Sequence, residues 1–104
     1  MDKSNNSVRC INTLLHTADA RVAEFEMGPE TEGEVHYHSV VSEHCICLKG
    51  QVLIKMDGGS EHSLETGSKL KIPAGVSHQV INSSANPCQY LVVQYGGAYD
   101  FITV

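Results

Sequence analysis

Residues that favour turns interrupt this chain at short intervals, and no other feature of the sequence constrains its fold as tightly. Lys49-Gly50, Asp57-Gly58-Gly59, Thr66-Gly67, Pro73-Ala74-Gly75, Asn82-Ser83-Ser84 and Gly96-Gly97 all read as turns, and the Asp-Gly-Gly step is a hairpin signal. Between them lie short β-prone runs over residues 21–27, 34–38, 43–48, 51–56, 61–64, 69–72, 78–81, 89–95 and 99–104. Nowhere do apolar residues recur at helical spacing over a useful length. The nearest candidate, residues 10–20, is weakened by Asn12, Thr13 and Thr17. The expectation is an all-β chain. So many strands in one small domain cannot remain a flat open sheet, because both edges would be left to pair with other chains. Closure into a barrel-like sandwich removes that problem. Residues 1–19 are polar and weakly patterned, so they read as an irregular N-terminal arm that could cross to a second subunit. Residues 20–104 form the barrel domain in this reading.

The 104 residues suffice for one domain and not for two. A chain of this size builds a core with little spare stability, so a bound metal or a second subunit would help it. Hydrophobic residues make up 41% and charged residues 18%, which describes a globular chain rather than a disordered one. The formal charge is −5 and there is no basic run, so neither nucleic acid nor a membrane is expected as a partner. Residues 1–6 lack the apolar core of a secretory signal, and no apolar run approaches the ~18 residues of a membrane helix. The expected location is therefore cytoplasmic. There Cys10, Cys45, Cys47 and Cys88 would be reduced thiols and not a disulfide framework.

Six histidines stand out in so short a chain. His36 and His38 flank Tyr37 in a β-prone run. Residues two apart on a strand point to one face, so both imidazoles project together and Tyr37 projects the other way. Glu43 opens the next run. His78 begins a later one, directly after the turn at Pro73-Ala74-Gly75. Three imidazoles and a carboxylate are a good ligand set for a divalent first-row metal. The alternative is that the histidines are polar lining in a barrel that holds no metal.

The spacing His36-x-His38-x4-Glu43-x6-Gly50, followed by Gly67-x5-Pro73-x-Gly75-x2-His78-x3-Asn82, resembles the paired motifs of the cupin superfamily. The length is similar to that of its small single-domain members of the cupin 2 type. One position departs from the pattern. The glycine that opens the first motif, six residues before the first histidine, is Glu30 here, flanked by Gly28 and Gly33. That glycine serves a turn, so a shifted turn is expected. The resemblance implies a single cupin barrel, a jelly-roll-like double-stranded β-helix. It implies His36, His38, Glu43 and His78 as metal ligands, with Gly50, Gly67, Pro73, Gly75 and Asn82 at structural positions. It also implies a small-molecule ligand and a homodimer. Residues 99–104 are largely apolar and need a partner, either within the barrel or across a dimer.

Such a ligand set suits an octahedral ion with two open positions, whereas closed tetrahedral zinc would use all four ligands. The expected cofactor is one divalent transition metal from the set Mn, Fe, Ni, Co and Zn, and the open arrangement favours the first four. Two open positions can chelate a 2-oxo acid, a hydroxy acid or a diol, and the ion would act as a Lewis acid. By parity with Glu43 and His78, the expected pocket lining is Cys45, Cys47, Val52, Ile54 and Val80. Thiols beside an Fe/O2 centre would risk oxidation, which favours non-oxidative chemistry. No catalytic acid or base is assigned. His44 should face away from the metal, and Tyr90 or Gln94 reaches the pocket mouth only with a parity the sequence leaves open. Three functions follow. The first is a metal-dependent isomerase, epimerase, lyase or decarboxylase acting on a small oxygen-rich metabolite such as a carboxylate or sugar acid. The second is an Fe-dependent dioxygenase. The third is a non-enzymatic barrel that binds or senses a small ligand. Fold alone does not choose among them.

Overall fold

Alternation of buried and half-buried residues along two long neighbouring inner strands sets the architecture. The computed structural model describes residues 8–104. On β5 (Ser42–Lys49), Glu43, Cys45 and Cys47 are buried while His44 and Ile46 are half-buried; β10 (Cys88–Tyr95) alternates in the same way. That is the signature of strands with one face on a core. The two strands pair with each other, Glu43 opposite Gln94 and Cys45 opposite Val92.

Nine further strands complete two antiparallel sheets: β1 (Val8–His16), β2 (Ala20–Met27), β3 (Thr31–Glu32), β4 (His36–Tyr37), β6 (Gln51–Met56), β7 (Glu61–Glu65), β8 (Lys69–Ile72), β9 (His78–Asn82) and β11 (Ile102–Thr103). The first sheet runs β1-β2-β10-β5-β8. The second runs β11-β4-β9-β6-β7, with β3 also paired to β9. Their inner faces share one core, in which Ala23, Met27, Cys45, Cys47, Val52, Ile54 and Cys88 are fully buried. No helix occurs among the described residues, and the expected all-β, jelly-roll-like sandwich is what forms.

The structure corrects the reading of the arm. Residues 8–16 are a nine-residue strand paired along β2, from Val8 opposite Met27 to His16 opposite Arg21. Residues 1–7 lie outside the described residues. Two irregularities, between Cys10 and Asn12 and between Thr13 and Leu15, disturb the register. As an edge strand exposed along nearly its whole length, β1 also has little reason to alternate. Both effects hide it from a pattern search. The two-residue strand β3 was likewise not among the expected runs. At the other end, β11 pairs within the chain, Ile102 opposite Tyr37 and Thr103 opposite His36. The apolar run 99–104 therefore finds its backbone partner inside the barrel.

The motif position that lacks its glycine takes a strained backbone. Glu30 itself takes the left-handed conformation, with φ of 52°, the one non-glycine to do so among the described residues. Its N–H donates to the Ser84 carbonyl at 3.1 Å, which holds the turn against the loop between β9 and β10. Left-handed backbone costs a residue with a Cβ about 1–2 kcal/mol. Gly50, between β5 and β6, shows the contrasting case. It has φ of +80°, and a Cβ there would sit 3.1 Å from the Pro87 carbonyl oxygen and 3.2 Å from the Cys88 Cβ. Glu30→Gly should thus stabilise the fold by about 0.5–1 kcal/mol, the relieved strain less the added freedom of the unfolded chain. Gly50→Ala should destabilise it. Urea titrations with unchanged m-values would show both; a Glu30→Gly variant less stable than the parent would contradict the strain argument.

Candidate metal centre

Two cross-strand pairs meet between the sheets. His36 on β4 lies directly opposite His78 on β9, and Glu43 on β5 lies directly opposite Gln94 on β10. His38 follows β4 by one residue. All five side chains are buried: His36 9% exposed, His38 4%, Glu43 3%, His78 1% and Gln94 3%. One imidazole nitrogen from each of the three histidines falls within 4.8 Å of the others. Glu43 Oε1 approaches His38 Nε2 at 2.8 Å and His78 Nε2 at 3.9 Å.

The backbone fixes how each ring presents itself. Nδ1 of His36 meets the Glu34 carbonyl at 2.9 Å, Nδ1 of His38 the Asp100 carbonyl at 2.6 Å, and Nδ1 of His78 the Val76 carbonyl at 3.0 Å. A carbonyl only accepts, so each Nδ1 carries the hydrogen and each Nε2 is left with its lone pair. The Nε2 atoms of His38 and His78 are buried without a hydrogen-bond partner. The 2.8 Å approach to Glu43 is short but not aligned as a hydrogen bond. Two acceptors that close need a positive charge, either a proton on His38 or a cation among the ring nitrogens. Backbone carbonyls on Nδ1 with free Nε2 atoms are how proteins orient metal-binding histidines. The donor set of His36, His38, His78 and Glu43 therefore fits a divalent transition metal.

Burial dominates the electrostatics. It lowers His36 to about 4 despite the Glu34 carbonyl, and it lowers His78 as well. His38 goes the other way. Burial is again the largest influence and acts downward, but the Glu43 carboxylate and the Asp100 carbonyl together raise it. Glu43 is lowered although burial alone would raise it, because His38, His78 and the Gln94 amide favour the ionised form.

The sequence matches the family described as Cupin domain over residues 23–94, a span that holds all four of these side chains. The chain belongs to the cupin family. No curated protein matches it. Among solved structures it is similar to a conserved protein with a double-stranded β-helix domain from Klebsiella pneumoniae, with TM-score 0.84 at 21% identity over 99% of this chain and 89% of that one. It is similar to the polyketide cyclase RemF from Streptomyces resistomycificus, with TM-score 0.79 at 19% identity over 99% and 76% of the two chains. It is also similar to the DMSP lyase DddQ from Ruegeria pomeroyi, with TM-score 0.77 at 20% identity over 86% and 47%. This cupin spans about half the length of that lyase. At these identities the likeness is one of fold.

His36, His38 and Glu43 line one side of a cavity of about 320 Å³, with His78 packed behind them. Of the expected lining, Val80 is present. Cys45, Cys47, Val52 and Ile54 point inward but pack in the hydrophobic core and do not line the cavity. Parity fixes which face a residue takes, not how deep along the barrel it sits, and these four belong to the packed core. Their places are taken by Arg21, Phe25 and Met27 from β2, and by Tyr99 and Phe101 from the segment before β11. Phe101 stacks on His36 with centroids 4.1 Å apart, and Tyr99 lies 5.4 Å from His38. Arg21, Phe25 and Met27 share one parity in the run 21–27, a signal that was there to be read. Tyr99 and Phe101 lie outside regular strands, where parity says nothing. The open parity on β10 is also settled: Tyr90 and Gln94 both line the cavity. His44 faces outward, as expected, with its Nε2 3.1 Å from the Tyr95 hydroxyl.

The lowered His36 gives the metal-free cupin a pH dependence. Between the ordinary histidine value of 6.5 and about 4, the unfolded chain binds a proton that the folded one refuses, so stability falls on acidification. From pH 7 to 5 the loss assigned to His36 is about 2 kcal/mol. Urea titrations at both pH values on chelated protein should show it. A His36→Gln variant should lose less; an equal loss in that variant would place the effect elsewhere.

Proposed function

We propose that this cupin is a metal-dependent enzyme acting on a small oxygen-rich metabolite such as a carboxylate or sugar acid, as an isomerase, epimerase, lyase or decarboxylase. The observation that carries the reading is the set of three Nδ1-anchored imidazoles grouped beside Glu43, of which His36 and His38, with Glu43, form part of the wall of a cavity of about 320 Å³. His36, His38, Glu43 and His78 would hold the ion. When bound, a divalent ion at such a site supplies Lewis acidity to a chelating oxygen ligand. The chain's own residues do the rest. Gln94 donates to Glu43 at 3.1 Å and keeps its carboxylate aimed at the rings. Phe101 and Tyr99 pack on His36 and His38 and shield them from water. Tyr90 is raised far out of the working range by burial, so its phenol stays protonated. Mn, Fe, Ni and Co suit the open ligand set better than Zn.

An Fe-dependent dioxygenase is a second reading, because the thiols that argued against oxidative chemistry are absent from the cavity lining. Oxygen uptake with candidate substrates would favour it. A cytoplasmic setting is supported by four free cysteines, and we extend the proposal to it. No helix among the described residues is long and apolar enough to cross a membrane.

The test is elemental analysis of protein purified without a histidine tag. Wild type should carry about one transition-metal ion per chain. His38→Ala and His78→Ala should cut that content about tenfold or more. Chelation should lower the melting temperature by about 10 °C, the effect of losing a ligand present at roughly a hundred times its dissociation constant. A metal-free wild type, or a His38→Ala variant with full metal content, would overturn the assignment.

A further inference from the structure

Arg21 is a cation that the metal reading does not use. It lies on the inward face of β2, half-buried at the cavity wall. Among the described residues no carboxylate pairs with it. Its one protein acceptor there is Gln94, where Nη1 donates to Oε1 at 3.1 Å. The Gln94 Nε2 then donates to Glu43 at 3.1 Å. That orientation is forced, since a guanidinium only donates and a carboxylate only accepts. Aromatic rings strip water from the guanidinium: its Cζ lies 4.4 Å from the Tyr99 ring centroid and 5.6 Å from that of Phe25. A guanidinium has five N–H donors, and one is engaged.

We propose that Arg21 is the anion anchor of this cavity and that the ligand is a small carboxylic acid with an apolar body. The proposal rests on the functional reading above for what happens to that acid, but not for its binding. A planar fork of donors in a partly dry site matches a carboxylate in bidentate fashion. Gln94 places the anchor one side chain away from Glu43 and the histidines. Phe25, Met27, Val80 and Val92 supply the wall against which the rest of the molecule packs. The volume of about 320 Å³ is near the lower limit for ligand pockets, which restricts the ligand to a small acid.

The experiment is a thermal-shift and calorimetric series with pyruvate, lactate, benzoate and phenylacetate, each beside its primary amide, and with inorganic phosphate. It is run on metal-loaded and chelated wild type, Arg21→Gln and Arg21→Lys, with metal content measured on every sample. At least one acid should bind and its amide should not. Arg21→Gln should weaken that acid by about tenfold or more at unchanged metal content, and Arg21→Lys by less. Acid binding within twofold of wild type in Arg21→Gln would overturn the anchor. No acid binding, or phosphate matching the acids, would overturn the ligand class. Arg21-dependent acid binding in protein that takes up no metal would support the anchor while the metal reading fails.

Discussion

A carboxylate shut between two sheets must be matched by donors and positive charge, and Glu43 imposes that demand on this cupin. At 3% exposure it cannot rely on water. Gln94 donates to it from the neighbouring strand, and the Nε2 atoms of His38 and His78, which face it from the opposite sheet, complete the match once a proton on His38 or a cation lies between them. The match requires β10 beside β5 and β9 facing them, so the strand order and the site are one requirement seen at two scales. It also explains why Gln94 is turned with its oxygen toward Arg21.

The rings are set before any ion arrives. Each Nδ1 is held by a carbonyl close to its own residue or, for His38, by Asp100. Asp100 is itself tied down, because its carboxylate accepts from the Ser39 N–H at 2.8 Å and from the Ser39 hydroxyl. The segment that roofs the histidines is thereby stitched to the loop that carries one of them. Metal-free protein keeps the geometry at the expense of lone pairs with no partner, a tension that favours whatever cation relieves it.

Much of this was legible in the sequence, for reasons tied to particular residues. The Gly, Pro and Asn turns marked most strands because those residues punctuate a chain locally. The spacing of His36, His38, Glu43 and His78 pointed to one centre because strand parity and two tight turns fix where they go. What failed was information that is not local. Cys45, Cys47, Val52 and Ile54 were placed on the right face at the wrong depth. β1 escaped because its bulges and its exposure erase alternation. Tyr99 and Phe101 reach the site through tertiary packing, outside any repeating pattern. Glu30 stands at a motif glycine position and takes the left-handed conformation itself, held by Ser84 from the loop between β9 and β10.

The three buried thiols have a consequence of another kind. Cys45, Cys47 and Cys88 sit at the core on β5 and β10, while Cys10 is exposed on β1. Burial raises all three, Cys88 to about 11, so they are protonated as well as shielded. A thiol reagent meets a reactive thiolate there only when the sandwich opens. The barrel therefore carries its own clock for opening: Cys10 reports contact with solvent at once, and the other three report how often the two sheets come apart.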